Sequence, residues 1–141
     1  LHDIGKIGID EAILNKPGRL TAEEFESMKA HTTIGADMLR NLPRYQEERI
    51  LQIAIEICRW HHERYDGKGY PDGLVGDEIP ISAQLVSIAD VYDALTSERV
   101  YKKAFSHEKA MQMIREGECG AFNPLLLSCL EEIADELQAE M

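Results

Sequence analysis

Apolar positions recur at helical spacing along most of the chain, and polar residues break the pattern at definable places. Phe25, Met28, Thr32, Gly35, Leu39 and Leu42 form one stripe, with Thr21 and Glu24 placed as a capping box ahead of it. A helix is therefore predicted over about 22–42, with Pro43 marking its end. Ile50, Ile53, Ala54, Ile57 and Cys58 make a second apolar face that leads to His61. From Arg64 to Ile81 the periodicity is lost, and Gly67, Gly69, Pro71, Gly73, Gly76 and Pro80 punctuate the segment. A stretch this long without an element of its own is usually functional or disordered. Ser82 is positioned to cap the next helix, which carries Leu85, Ile88, Val91, Tyr92 and Leu95. Ser106 opens another, and Asn123 followed by Pro124 gives the N-cap and first-turn proline of the last. With no strand-like alternation and no internal repeat, the expected fold is all-α: a helical bundle with a long Gly/Pro-rich loop between helices.

Composition narrows what such a bundle can do. With 141 residues, 44% of them hydrophobic, the chain has apolar mass for one ordinary soluble domain. The net charge of -11 argues against a nucleic-acid polymer or an anionic membrane as the main partner. A small anionic substrate would need local help from metal ions or clustered Lys and Arg. Cys58, Cys119 and Cys129 form neither a CxxC pair nor an even framework, so they read as reduced packing residues. There is no run of eighteen apolar residues and no charged-then-apolar leader, and the expected setting is cytoplasmic. The chain opens at Leu1 without an initiator Met, which reads as a piece of something longer.

The titratable groups fall on the apolar faces. His31 lies three residues after Met28 and four before Gly35, His61 continues the stripe of Ile50, Ile53 and Ile57, and Asp90 sits between Ile88 and Val91. The plain reading of His31 alone is a core histidine bonded to a carbonyl, but a buried lone carboxylate such as Asp90 needs a partner charge. His2 and Asp3 open the run LHDIGKIGI, with Lys6 one turn further along their face, and His62 follows His61 directly. Four imidazoles and two carboxylates in such contexts point to metal. Adjacent residues on a helix diverge by about 100°, so His61 and His62 reach one small site most easily at a helix end. Six ligands exceed what one tetrahedral ion with an open position uses, which favours a dinuclear centre bridged by a carboxylate. Nitrogen and oxygen ligands without thiolate suit iron, manganese, nickel or zinc. Paired ions suit phosphate-ester hydrolysis, since one activates water while the other neutralises phosphoryl charge.

His2-Asp3 in HDIGKIGI, the isolated His31, the pair His61-His62, the tripeptide Gly69-Tyr70-Pro71 and IADVYDALTSERVYK resemble, in order and spacing, the HD-GYP phosphodiesterases, over essentially the whole chain. The resemblance implies a bacterial, all-helical output domain that hydrolyses cyclic di-GMP or a related cyclic dinucleotide with two or three divalent metal ions, iron or manganese. It implies His2, Asp3, His31, His61, His62 and Asp90 as metal ligands, with Asp3 bridging. Asp3 and Lys6 become the catalytic pair, Lys6 standing near the scissile phosphate. Gly69, Tyr70, Pro71, Asp93, Arg99 and Lys102 become substrate contacts. For Arg99, Lys102 and the neighbouring Lys103, a solvated basic cluster is the plain alternative. The implied partners are a receiver or sensor domain upstream and a diguanylate cyclase domain contacting the Gly-Tyr-Pro loop.

This sequence departs from the family's pattern in three places. Gln84 stands where an arginine is common, and Asn123-Pro124 stands where Asp-Pro is common. The helix that in the family supplies a further histidine ahead of the HD dyad has no counterpart before Leu1, so residues 1–141 read as a single domain lacking its upstream helix. Two other functions stay open at this stage: a catalytically weak binding or docking module, and an HD phosphohydrolase of another nucleotide.

Overall fold

In the computed structural model of the chain, residues 2–42, 48–98, 103–134 and 136 are described. A 3₁₀ turn over Ile4–Gly8 leads into the short helix α1 (Glu11–Leu14), then α2 (Ala22–Lys29), α3 (His31–Arg40) and α4 (Arg49–Trp60). A second 3₁₀ turn, Gly76–Glu78, precedes α5 (Ile81–Thr96), α6 (His107–Arg115) and α7 (Pro124–Glu132). No strand occurs among the described residues; an isolated bridge between Asp66 and Val75 closes the long loop on itself. The all-α expectation holds. None of the described helices is long and apolar enough to cross a membrane.

The helix starts follow their caps. Thr21 and Glu24 form the full capping box, Ser106 accepts from the Lys109 amide, and the Asn123 side chain accepts from Leu125 N. Asp10 caps α1 in the same way. Ser82 does not cap α5. The chain enters that helix through extended Pro80, and the Ser82 hydroxyl in its first turn donates to Glu56 on α4 at 3.4 Å.

The helix predicted over 22–42 is divided at Ala30. Past this point side chains take carbonyls from the backbone ladder: His31 Nδ1 lies 2.7 Å from Met28 O, and the hydroxyls of Thr32 and Thr33 donate to the Lys29 and Ala30 carbonyls. Such local bonds compete with the helix, and they leave His31 as the first residue of α3. Pro43 lies outside the described residues.

Two apolar clusters form the interior. Ala36, Leu39, Leu51, Ile55 and Cys58 join α3 to α4, whereas Ile88, Tyr92, Leu95, Ala110, Met111, Ile114, Phe122 and Leu126 join α5 to α6 and α7. Within α4 the buried line is therefore Leu51, Ile55 and Cys58. Ile50 is 77% exposed, and with Ile53, Ala54 and Ile57 it lines an open apolar cleft shared with His2 and Val86. Leu85 is likewise exposed on α5. The 3₁₀ turn lies on α3, where Gly5 meets the chain so closely that a Cβ would overlap His31 O and Gly35 N. That contact seats His2 and Asp3 at the N-terminal end of α3.

Gln84 and Asn123, the two side chains that depart from the pattern of the resemblance, are each other's partners. Gln84, buried on α5, donates to Ile79 O at 2.8 Å and accepts from Asn123 Nδ2 at 3.1 Å. A neutral amide pair thus bridges α5 and α7. Gln84→Arg alone should destabilise the domain by about 3 kcal/mol, because it buries an uncompensated charge. Asn123→Asp alone should cost about 1 kcal/mol, since the cap survives and one donor is lost. Denaturant unfolding of both singles and the double variant measures the coupling, expected to restore at least about 1 kcal/mol. Additive losses would show that the two positions act independently.

Candidate metal centre

His31 opens α3, and His61 caps the end of α4. Each is about 1% exposed. His31 Nδ1 lies 2.7 Å from Met28 O, and His61 Nδ1 lies 2.8 Å from Ile57 O and 3.1 Å from Cys58 O. A carbonyl only accepts, so both Nδ1 atoms carry the hydrogen, and in that tautomer of each ring Nε2 is the bare nitrogen. These Nε2 atoms face each other at 3.4 Å, and Asp3 Oδ1 stands 3.3 Å and 3.5 Å from them. Three lone pairs therefore converge on one buried point. Asp3 Oδ1 has no hydrogen-bond partner there.

Converging acceptors repel one another unless a cation lies among them. Imidazoles whose second nitrogen is anchored on a backbone carbonyl are the usual form of metal-ligating histidine. The donor set therefore fits a divalent metal ion. Burial pushes the Asp3 carboxyl up, while the charges of Lys6 and His2 pull it down. Burial pushes His62 down to about 2, helped by His61, His31 and Arg64, so this ring stays neutral with a lone pair free.

The ligand-type atoms form two overlapping groups. Those of Asp3, His31, His61 and His62 lie within 4.8 Å of one another, as do those of His2, His61 and Asp90. Asp3 faces both: Oδ1 points at His31 and His61, while Oδ2 lies 3.2 Å from His2 Nε2 and 3.4 Å from Lys6 Nζ. His2 Nε2 also lies 3.2 Å from Asp90 Oδ1 on α5. All six residues read from the sequence as metal ligands are thus brought together, with Lys6 beside them. His62 follows the end of α4, where the turn frees its ring to swing toward its neighbour's site.

The loop packs onto the cluster itself. Tyr70 is stacked on His62, with centroids 4.8 Å apart and planes at 15°, and its amide donates to His62 O at 3.2 Å. Burial pushes the Tyr70 phenol up to about 12, leaving it a neutral donor. Pro71 follows, half-buried. Asp93 is exposed, accepts from the Ser97 hydroxyl and takes no part in the cluster. Arg99 and Lys102 lie outside the described residues.

Glu63 was not singled out by sequence reasoning. It is 3% exposed, and its carboxylate accepts from the amides of Asp72, Gly73 and Leu74 at 2.7, 3.1 and 2.9 Å. Asp72 in turn accepts from Arg59 and from Trp60 Nε1. An acidic residue between a histidine pair and a glycine-rich loop is the available signal, because loop amides without a ladder need acceptors.

Gly69 lies so close to the ligand backbone that a Cβ would overlap His62 O, Arg64 N and Glu63 Cα. Gly69→Val should therefore lift the loop away from His62. Metal content per folded molecule should fall at least about tenfold, and the melting temperature should drop as well, because the Glu63 bonds to the same loop are strained with it. A drop in melting temperature with normal metal content per folded molecule would make the loop a scaffold.

A helical domain with a histidine–aspartate cluster that could hold divalent metal is the class these features define. The chain belongs to the HD domain family, whose model matches residues 1–124. It is 48% identical over 140 residues to a cyclic di-GMP phosphodiesterase of Vibrio cholerae, covering 99% of this chain and 28% of that protein. It is 46% identical over 137 residues to a cyclic di-GMP phosphodiesterase of Thermotoga maritima, covering 97% and 36%. A 3'3'-cGAMP-specific phosphodiesterase of Vibrio cholerae is 42% identical over 139 residues, covering 99% and 26%. The chain thus spans roughly a third or less of these relatives' length.

Proposed function

We propose that the domain is a metal-dependent phosphodiesterase that hydrolyses cyclic di-GMP to the linear dinucleotide or GMP. The observation that carries this reading is the convergence of two bare imidazole nitrogens and an unpartnered carboxylate oxygen in a buried site beside a loop stacked on a third imidazole. The substrate class is supported by the names of the relatives, which act on cyclic di-GMP or 3'3'-cGAMP.

In this reading His2, Asp3, His31, His61, His62 and Asp90 would hold two divalent ions, iron or manganese, with Asp3 the carboxylate that faces both groups of ligand atoms. Such ions would supply an activated water and neutralise charge on the phosphoryl oxygens. Lys6 holds a point charge beside the Asp3 carboxylate, where negative charge develops on the phosphate. Tyr70, a neutral phenol, donates to the ligand from the pocket wall that Gly69 and Pro71 shape. Asp93, Arg99 and Lys102 contact the dinucleotide, the two cations offsetting its phosphates in an otherwise acidic chain. The domain acts in the bacterial cytoplasm as the output of a signalling protein, downstream of a receiver or sensor domain, and the Gly-Tyr-Pro loop is the face offered to a diguanylate cyclase domain.

The test is to load the protein anaerobically with iron or manganese and to measure metal content and turnover of cyclic di-GMP and 3'3'-cGAMP. Asp3→Ala should lose both ions and all turnover, because a bridging carboxylate serves both; loss of one ion with turnover retained would overturn the bridging role. Lys6→Ala should keep its metal and lose about 100-fold in kcat. Metal content falling with Lys6→Ala would instead make this lysine part of the cluster's support.

A further inference from the structure

Beside the metal centre lies a corner of two aromatic rings with a cation set in it. Phe25 on α2 is 43% exposed. Its ring meets Tyr70 with centroids 5.9 Å apart and planes at 84°. Lys29, one turn further along α2, places its ammonium 5.1 Å from the Phe25 centroid and 5.4 Å from that of Tyr70. Tyr70 is at the same time stacked on His62. In a nucleotide only a ribose separates the base from its phosphate, and here only a phenol ring separates Lys29 from a candidate metal ligand.

Neither α2 side chain is needed to hold the ligands. His31 is anchored on the Met28 carbonyl, and Thr32 on the carbonyl rather than the side chain of Lys29. The ammonium has a carboxylate neighbour in Glu26 at 2.9 Å, on a side chain 70% exposed. An exposed pair of this kind is weak and readily given up. What remains is an open apolar ring, a second ring at right angles to it, and a three-donor cation that can leave one acceptor for another.

We propose that Phe25 and Lys29 form, with Tyr70, a subsite that recognises a guanine base of the substrate. This inference rests on the cyclic-dinucleotide reading above and deepens it. Bases stack on aromatic side chains whatever their identity, so Phe25 supplies affinity for any purine. Guanine presents two acceptors, O6 and N7, along one edge, which is the pattern a lysine ammonium pairs with; adenine presents the N6 amino donor in place of O6. Lys29 therefore supplies the preference for guanine, and it sets how the domain ranks cyclic di-GMP against a dinucleotide in which one base is adenine.

The test uses GMP and AMP as probes, titrated calorimetrically into the manganese-loaded protein, so that it reads the subsite without turnover. The wild-type protein should bind GMP about tenfold more tightly than AMP, consistent with one edge contact. Lys29→Met, which keeps the side-chain length and removes the charge, should bring the two affinities to near equality with metal content unchanged. Phe25→Ala should weaken both nucleotides about tenfold and leave their ratio intact. A merely structural role would not move the ratio. Equal affinity of the wild-type protein for GMP and AMP would overturn the subsite, as would a guanine preference that survives Lys29→Met. A guanine preference that depends on Lys29, in a protein that turns over no cyclic dinucleotide, would support the subsite and overturn the phosphodiesterase reading instead.

Discussion

Two hydrogen bonds govern the centre: His31 Nδ1 to the Met28 carbonyl and His61 Nδ1 to the Ile57 carbonyl. They fix the tautomer of each ring, and the tautomer decides that both Nε2 atoms are acceptors aimed at the same carboxylate oxygen. Had either ring carried its hydrogen on Nε2, it would donate to Asp3, and the site would be a satisfied buried network with no need of a cation. The break at Ala30 matters for the same reason, because it lets α3 begin at His31 with a carbonyl three residues back within reach.

The centre also joins the two halves of the interior. His31 and His61 belong to the helices that enclose the α3–α4 cluster, and Asp90 projects from α5, which carries the other. An ion bound here would be held by side chains from both, so its binding energy would also be packing energy between α4 and α5. Without it, the same seam is held by apolar contact and by links such as Ser82 to Glu56.

Much of this was legible in the sequence because caps and chemistry are local. The Thr21–Glu24 box, Ser106 and Asn123-Pro124 placed three helix starts, and the spacing of His2, Asp3, His31, His61, His62 and Asp90 identified residues that the fold does assemble. What could not be read is what depends on distant partners. The stripe from Phe25 to Leu42 has uniform period, and nothing in it marks Ala30 as a boundary until His31, Thr32 and Thr33 are seen taking carbonyls. The buried side of α4 is set by α3 and the 3₁₀ turn, which select Leu51 and Ile55 over the equally apolar Ile50 and Ile53. Gln84 and Asn123 looked like two separate departures, 39 residues apart, and only their 3.1 Å contact makes them one.

The carboxylate of Glu63 has a further consequence. It follows the histidine pair directly and grips three successive amides at the far side of the Gly-Tyr-Pro turn, so the ligand segment and the loop behave as a single rigid piece rather than as a floor with a movable flap. A buried charge with three donors resists release, since opening the loop would strand it. Access to the pocket must then come from elsewhere on the rim. Side chains that the loop presents can therefore vary without altering the path of the backbone, which Glu63 holds in place beside the histidine pair.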